Sequence, residues 1–220
     1  MKLQYLGDAK DSFKWDYLDH LVRQLGCGWL QILPMLTEDD CSGHGNSQPH
    51  EFPAKQEILD FCRRLGHARS LSQIAKLPAI TDGSYAVDLY RPENFFESDK
   101  RSNYFQGFCA RSGALIFLDP DNGFEPTRSC SEKHVRFCEI DAILERAPSD
   151  AAIAVFQHGR RIAFPKDFAE IRERLYRGRA TAVCWQSLMF VVVSLSQKSI
   201  ASVRAINRRY AELRGIDQIH

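Results

Sequence analysis

Asp119 and Pro120 directly follow the apolar run Leu115-Ile-Phe-Leu118, and the chain then turns through Asp121, Asn122 and Gly123. Four apolar residues in a row predict a strand buried on both faces. Pro, Asn and Gly are the residue types that turn a chain. In open α/β sheets ligands sit beyond the carboxyl ends of the strands. Asp119, Pro120, Asp121 and Asn122 are therefore the leading catalytic candidates, with Asp119 positioned by the strand and exposed by the turn. A second acidic pair, Asp8 and Asp11, stands early in the sequence. Brought together, Asp8, Asp11, Asp119, Asp121 and Glu125 would offer carboxylate oxygens to Mg2+, the donor set of a metal-dependent nuclease or nucleotide hydrolase. A third polar group, Gln157-His158-Gly159-Arg160-Arg161, also follows an apolar run. There His158 can act as acid or base, and Arg160 and Arg161 can grip phosphate. Cys41, His44, His50 and Cys62 match no standard zinc spacing.

The elements that must position these groups follow from hydrophobic periodicity. Phe13, Tyr17, Leu18, Leu21, Val22 and Leu25 share one helical stripe over Asp11 to Leu25, and Gly26 and Gly28 end that helix. Trp29 to Leu36 reads as a strand, although Pro34 argues for an edge or a bend. A polar loop follows, then helices over Lys55 to Leu65 and Ser70 to Leu77, and a strand over Tyr85 to Leu89. Residues 91–111 are polar and aromatic and read as an irregular insertion. Beyond Asp119 the pattern predicts helices over Lys133 to Arg146, Lys166 to Leu175 and Ser199 to Leu213. Between them lie a strand over Ala151 to Phe156 and one or two strands within Ala180 to Leu195. Apolar strands alternating with helices predict an α/β, Rossmann-like domain over residues 1–220, with a mostly parallel sheet and helices on both faces.

Composition narrows the classes. The 220 residues are 44% hydrophobic and 26% charged, which is ordinary globular usage. Lys and Arg total 29 against 28 for Asp and Glu, so any basic footprint for a nucleic acid has to be local. Arg172, Arg174, Arg177 and Arg179 form one such cluster, and Arg204, Arg208 and Arg209 another. Tyr104, Phe105 and Trp185 are candidates for base stacking. The first fourteen residues are charged and lack a signal pattern, and no apolar stretch is long enough to span a bilayer. Seven cysteines without a CxxC pair predict reduced thiols and a cytoplasmic location.

Two segments carry a family resemblance. Gly7-Asp-Ala-Lys-Asp-Ser-Phe-Lys14 resembles the Gly-Asn-x-x-Asp-x-x-Lys segment that opens the first helix of class I methyltransferases acting on adenine N6 of large-subunit ribosomal RNA, with Asp8 in place of Asn. Asp119-Pro120 is similar to the start of that family's Asp-Pro-Pro-Tyr, while Asp121 and Asn122 stand where Pro-Tyr would be. The resemblance implies S-adenosylmethionine as cofactor, methyl transfer to a nucleobase amine, and RNA or DNA as partner. It implies Asp119 as hydrogen-bond acceptor for the amine. Lys14, Asp39, Asp40, Gly43, Gly45 and Asp88 would lie around the cofactor, and Asp8, Asp11, His158, Arg160 and Arg161 toward the substrate. A fold of this type kept only for binding is a third reading.

Overall fold

Asp8 starts the first helix. Its backbone is extended, and its Oδ1 accepts a hydrogen bond from the Asp11 amide at 3.0 Å, the N-cap role that short polar side chains fill best. The computed structural model describes residues 1–39, 47–175 and 179–219. Its helices are α1 (Ala9–Leu25), α2 (Gln56–Ala68), α3 (Leu77–Thr81), α4 (Arg101–Gln106), α5 (Phe137–Arg146), α6 (Phe164–Arg174) and α7 (Gln197–Arg214). Its strands are β1 (Trp29–Leu33), β2 (Ala86–Leu89), β3 (Ala114–Leu118), β4 (Gly123–Phe124), β5 (His134–Val135), β6 (Ala152–His158), β7 (Ala180–Trp185), β8 (Leu188–Val193) and β9 (Asp217–Ile219).

Seven strands form one sheet in the order β2-β1-β3-β6-β8-β7-β9, and β4 pairs with β5 beside it. The expectation of a mostly parallel sheet is met in part: the sheet is mixed. β2, β1, β3 and β6 pair in parallel, but β6–β8, β8–β7 and β7–β9 are antiparallel. The cause is local. Trp185 pairs with Leu188 across the two-residue turn Gln186-Ser187, and so short a connection permits only an antiparallel hairpin.

All five residues of β3 are buried. Leu115 and Phe117 face one apolar cluster with α1, α2 and α7, while Ile116 and Leu118 face a second with α4, α5 and α6. Helices therefore cover both faces, as alternation along a buried strand requires. The single stripe expected on the first helix is too narrow a description. Trp15, Asp16 and Asp19 are buried as well, because α2 and α7 pack on the flanks of α1. Asp16 is held by Arg214 Nε and Nη2, each at 2.8 Å, and by the Tyr210 hydroxyl at 2.8 Å. Pro34 ends β1 three residues earlier than expected. In residues 91–111 the aromatic run forms α4, whose Tyr104 and Phe105 are core residues and unavailable for stacking bases. Trp185 likewise packs against Phe13 and Phe52.

Gly7 aims this frame at the site. Its φ is +83°, and a Cβ there would lie 2.2 Å from the Cys62 carbonyl oxygen and 2.5 Å from the Gly66 nitrogen of α2. Gly7→Ala therefore combines a forbidden contact with a strained backbone, and should lower unfolding free energy by more than about 1 kcal/mol in a urea titration.

Candidate functional site

The chain runs from β1 out to the edge strand β2, then returns to place β3 on the other side of β1. This reversal is the switch point where a crevice opens beyond the carboxyl ends of the strands. Residues 1–5 lie across it. The Met1 nitrogen donates to the Met35 carbonyl at 3.2 Å and to the Asp119 carbonyl at 2.9 Å, and the Gln4 amide donates to Asp39 Oδ1 at 3.1 Å.

At the crevice floor lies Lys14 Nζ, 2.8 Å from Asp11 Oδ1 and 2.9 Å from Asp119 Oδ2, with all three side chains buried. It also sits 4.8 Å from the centroid of the Phe156 ring, a cation–π contact. Asp11 Oδ2 accepts from the Gly7 amide at 2.8 Å, so the helix entrance and the end of β3 are tied through one ammonium. Burial disfavours the charge on Lys14, but Asp11 and Asp119 outweigh it and hold the ammonium above its ordinary value. Around this triad is a cavity of about 40 Å3 lined by Asp8, Lys10, Asp121, Pro120, Phe156 and His158 among others.

Two of its walls have unusual protonation. Burial, then repulsion from Asp11, raises the Asp8 carboxyl to about 7. Asp8 is only 4% exposed, and its Oδ2 has no hydrogen-bond partner. Burial, then Lys10 and Lys14, pushes the His158 imidazole down to about 3, so it is neutral at physiological pH.

The expected acidic groups are only partly brought together. Asp8, Asp11, Asp119 and Asp121 share the cavity, but Asp119 is 1% exposed rather than presented by its turn. Glu125 is elsewhere: its Oε1 accepts from the Phe137 amide at 3.0 Å at the start of α5. Among the described residues no three His, Cys, Asp or Glu side chains group as metal ligands, and Lys14 already stands between Asp11 and Asp119. The donor set does not fit Mg2+. Asn122 serves through its backbone, its amide donating to the Lys133 carbonyl and its carbonyl accepting from the His158 amide. Gly123, with φ of +110°, lets this turn approach Gln157, whose Oε1 takes the Phe124 amide at 2.8 Å.

Other sequence candidates have structural duties. Arg160 donates to the Phe124 carbonyl and pairs with Asp167, and Arg161 is exposed outside the cavity. Asp88 binds Gln31 at 3.1 Å and Arg111 at 2.9 Å on β2, away from the crevice. Asp40, Gly43, Gly45 and Arg177 lie outside the described residues.

Asp39 lines a second cavity of about 550 Å3, with Thr37, Glu38, Phe95, Phe96 and Glu97. Lys2 borders both cavities, and its Nζ lies 3.7 Å from Asp121 Oδ2. Sequence reasoning missed Lys2, Phe95, Phe96 and Phe156. The clue for the last was its place at the end of an apolar run, directly before Gln157 and His158. No protein-family model matches the chain, and neither curated proteins nor solved structures provide a match.

Removing Lys14 would leave two buried carboxylates facing each other. Lys14→Met should destabilise the fold by about 3–5 kcal/mol in equilibrium unfolding. Asp8→Asn keeps an N-cap and removes the titration. Because the folded state holds the Asp8 proton more tightly than the unfolded chain, wild-type stability from this group is lost as pH rises from 3.8 to about 7. The melting temperature of Asp8→Asn should therefore exceed wild type by an amount that grows across that interval and levels off above it.

Proposed function

We propose that the protein is an S-adenosylmethionine-dependent methyltransferase acting on the amine of a nucleobase. The observation that carries this reading is the meeting of the two segments that resemble the adenine-N6 family. Lys14 and Asp119, 105 residues apart, are joined at the carboxyl end of a central strand beside the sheet's switch point. The Mg2+-hydrolase reading has no comparable support, because an ammonium occupies the place a cation would take between Asp11 and Asp119.

The larger cavity suits the cofactor. Its volume of about 550 Å3 falls within the range of small-molecule sites. Glu38, Asp39 and Glu97 offer acceptors to hydroxyl and amino groups, and Phe95 offers ring surface to an adenine. Phe95 is 49% exposed, a cost for a large apolar side chain that a stacked ring would remove. When bound, the cofactor supplies an electrophilic methyl group on sulfur.

The chain's own residues do the positioning. Asp119 and Asp11 hold Lys14, and the Lys14 charge offsets their own. Neutral His158 and Phe156, whose rings meet edge to face at 5.0 Å, form an uncharged wall beside which the amino-bearing edge of a base can lie. Orientation of this kind contributes several kcal/mol to a two-substrate reaction. RNA or DNA as the macromolecular substrate fits the exposed Arg204, Arg208 and Arg209 on α7.

S-adenosylhomocysteine at 100 times its dissociation constant should stabilise the fold by about 2.7 kcal/mol. A thermal melt would show this as an upward shift that Mg2+ alone does not produce. Absence of any shift with S-adenosylmethionine or S-adenosylhomocysteine at millimolar concentration would overturn the proposal.

A further inference from the structure

Asp119 is the residue expected to receive the acceptor amine, yet two of its three oxygens are already bonded. Its Oδ2 binds Lys14 at 2.9 Å and its carbonyl oxygen binds the Met1 nitrogen at 2.9 Å. Asp11 is also engaged, with Oδ1 on Lys14 and Oδ2 on the Gly7 amide. Asp8 differs. Its Oδ1 caps α1, but its Oδ2 is buried in the wall of the same cavity with no partner. A carboxylate oxygen taken out of water and left unbonded is costly, and a donor that completes it from the cavity would offset that cost.

The chemistry of that missing partner is constrained. Asp8 Oδ2 is an acceptor, so the group that completes it is a hydrogen-bond donor rather than an anion such as phosphate. The space, about 40 Å3, admits an amino group or a water but not a whole base. Asp121 and His158 are only half-buried and mark the open side, so a larger molecule can insert its amino-bearing edge from there.

We propose that Asp8 Oδ2 accepts the N–H of the substrate's exocyclic amine and so selects amine-bearing bases. Asp119 meanwhile holds Lys14 through Oδ2. This rests on the amine-methylation reading and assigns one residue's role within it. Asn at position 8 would preserve the cap while presenting an N–H donor where Oδ2 stands, which opposes an amine.

The test compares binding of adenosine with purine riboside, and of cytidine with pyrimidin-2-one riboside, measured by calorimetry well above neutral pH with S-adenosylhomocysteine present. Each pair differs only by the exocyclic amine. Wild type should bind at least one amine-bearing nucleoside at least about tenfold more tightly than its partner. Asp8→Asn and Asp8→Ser, both competent N-caps, should bring that ratio close to one while retaining the stabilisation by S-adenosylhomocysteine. No amine preference in wild type, or a preference that survives in both variants, refutes the assignment to Asp8. Loss of the cofactor response in wild type refutes the methyltransferase reading itself, so the two failures are distinguishable.

Discussion

The Lys14 ammonium, enclosed between Asp11 and Asp119, is the interaction on which the rest of this architecture turns. It joins the first helix to the end of the central strand β3 and fixes where the crevice can open. Burying three charges is costly, and the cost is offset because the geometry is close and one ammonium is shared by two carboxylates. Gly7 supplies the backbone approach that brings Asp11 into range, and its amide takes the second Asp11 oxygen. The Met1 nitrogen closes the arrangement from the solvent side through the Asp119 carbonyl.

Around that centre the crevice divides by chemistry. The small cavity is rich in carboxylates, walled by a neutral imidazole and a phenyl ring, and suited to a few polar atoms. The larger one, beyond the end of β1, combines acceptors with the exposed ring of Phe95 and has room for a whole ligand. Lys2 stands at their border. The proposed methyl transfer would use the two compartments together, one for each reactant.

Much of this was legible in the sequence, for identifiable reasons. The run Leu115 to Leu118 announced a buried strand, and the abrupt change to Asp119-Pro120 announced its end. The helix expected over Asp11 to Leu25 was legible from its apolar stripe, whereas its start at Ala9, capped by Asp8, was not. The antiparallel half of the sheet was less visible, since the apolar run from Ala180 to Leu195 conceals a two-residue turn built from Gln186 and Ser187 rather than from glycine. Burial of Asp16 and Asp19 was hidden as well, because their partners Arg214, Tyr85 and Lys55 come from distant segments. Glu125 stood among the metal candidates on spacing alone, and spacing cannot show that its side chain turns away to cap α5. The pairing of Lys14 with Asp119 could not be read from either segment separately.

The first helix is buried nearly all round, and the same seventeen residues that fill one side of the core also carry Asp11 and Lys14. Scaffold and site are thus one object rather than a platform with a detachable loop. Variation is then unevenly distributed: the α7 surface can change its charges freely, whereas almost any substitution in the first two turns of α1 alters fold and crevice at once. Specificity in such a protein would diversify at the rim, through Phe95 and the residues around it, while the helix that holds the ammonium stays as it is.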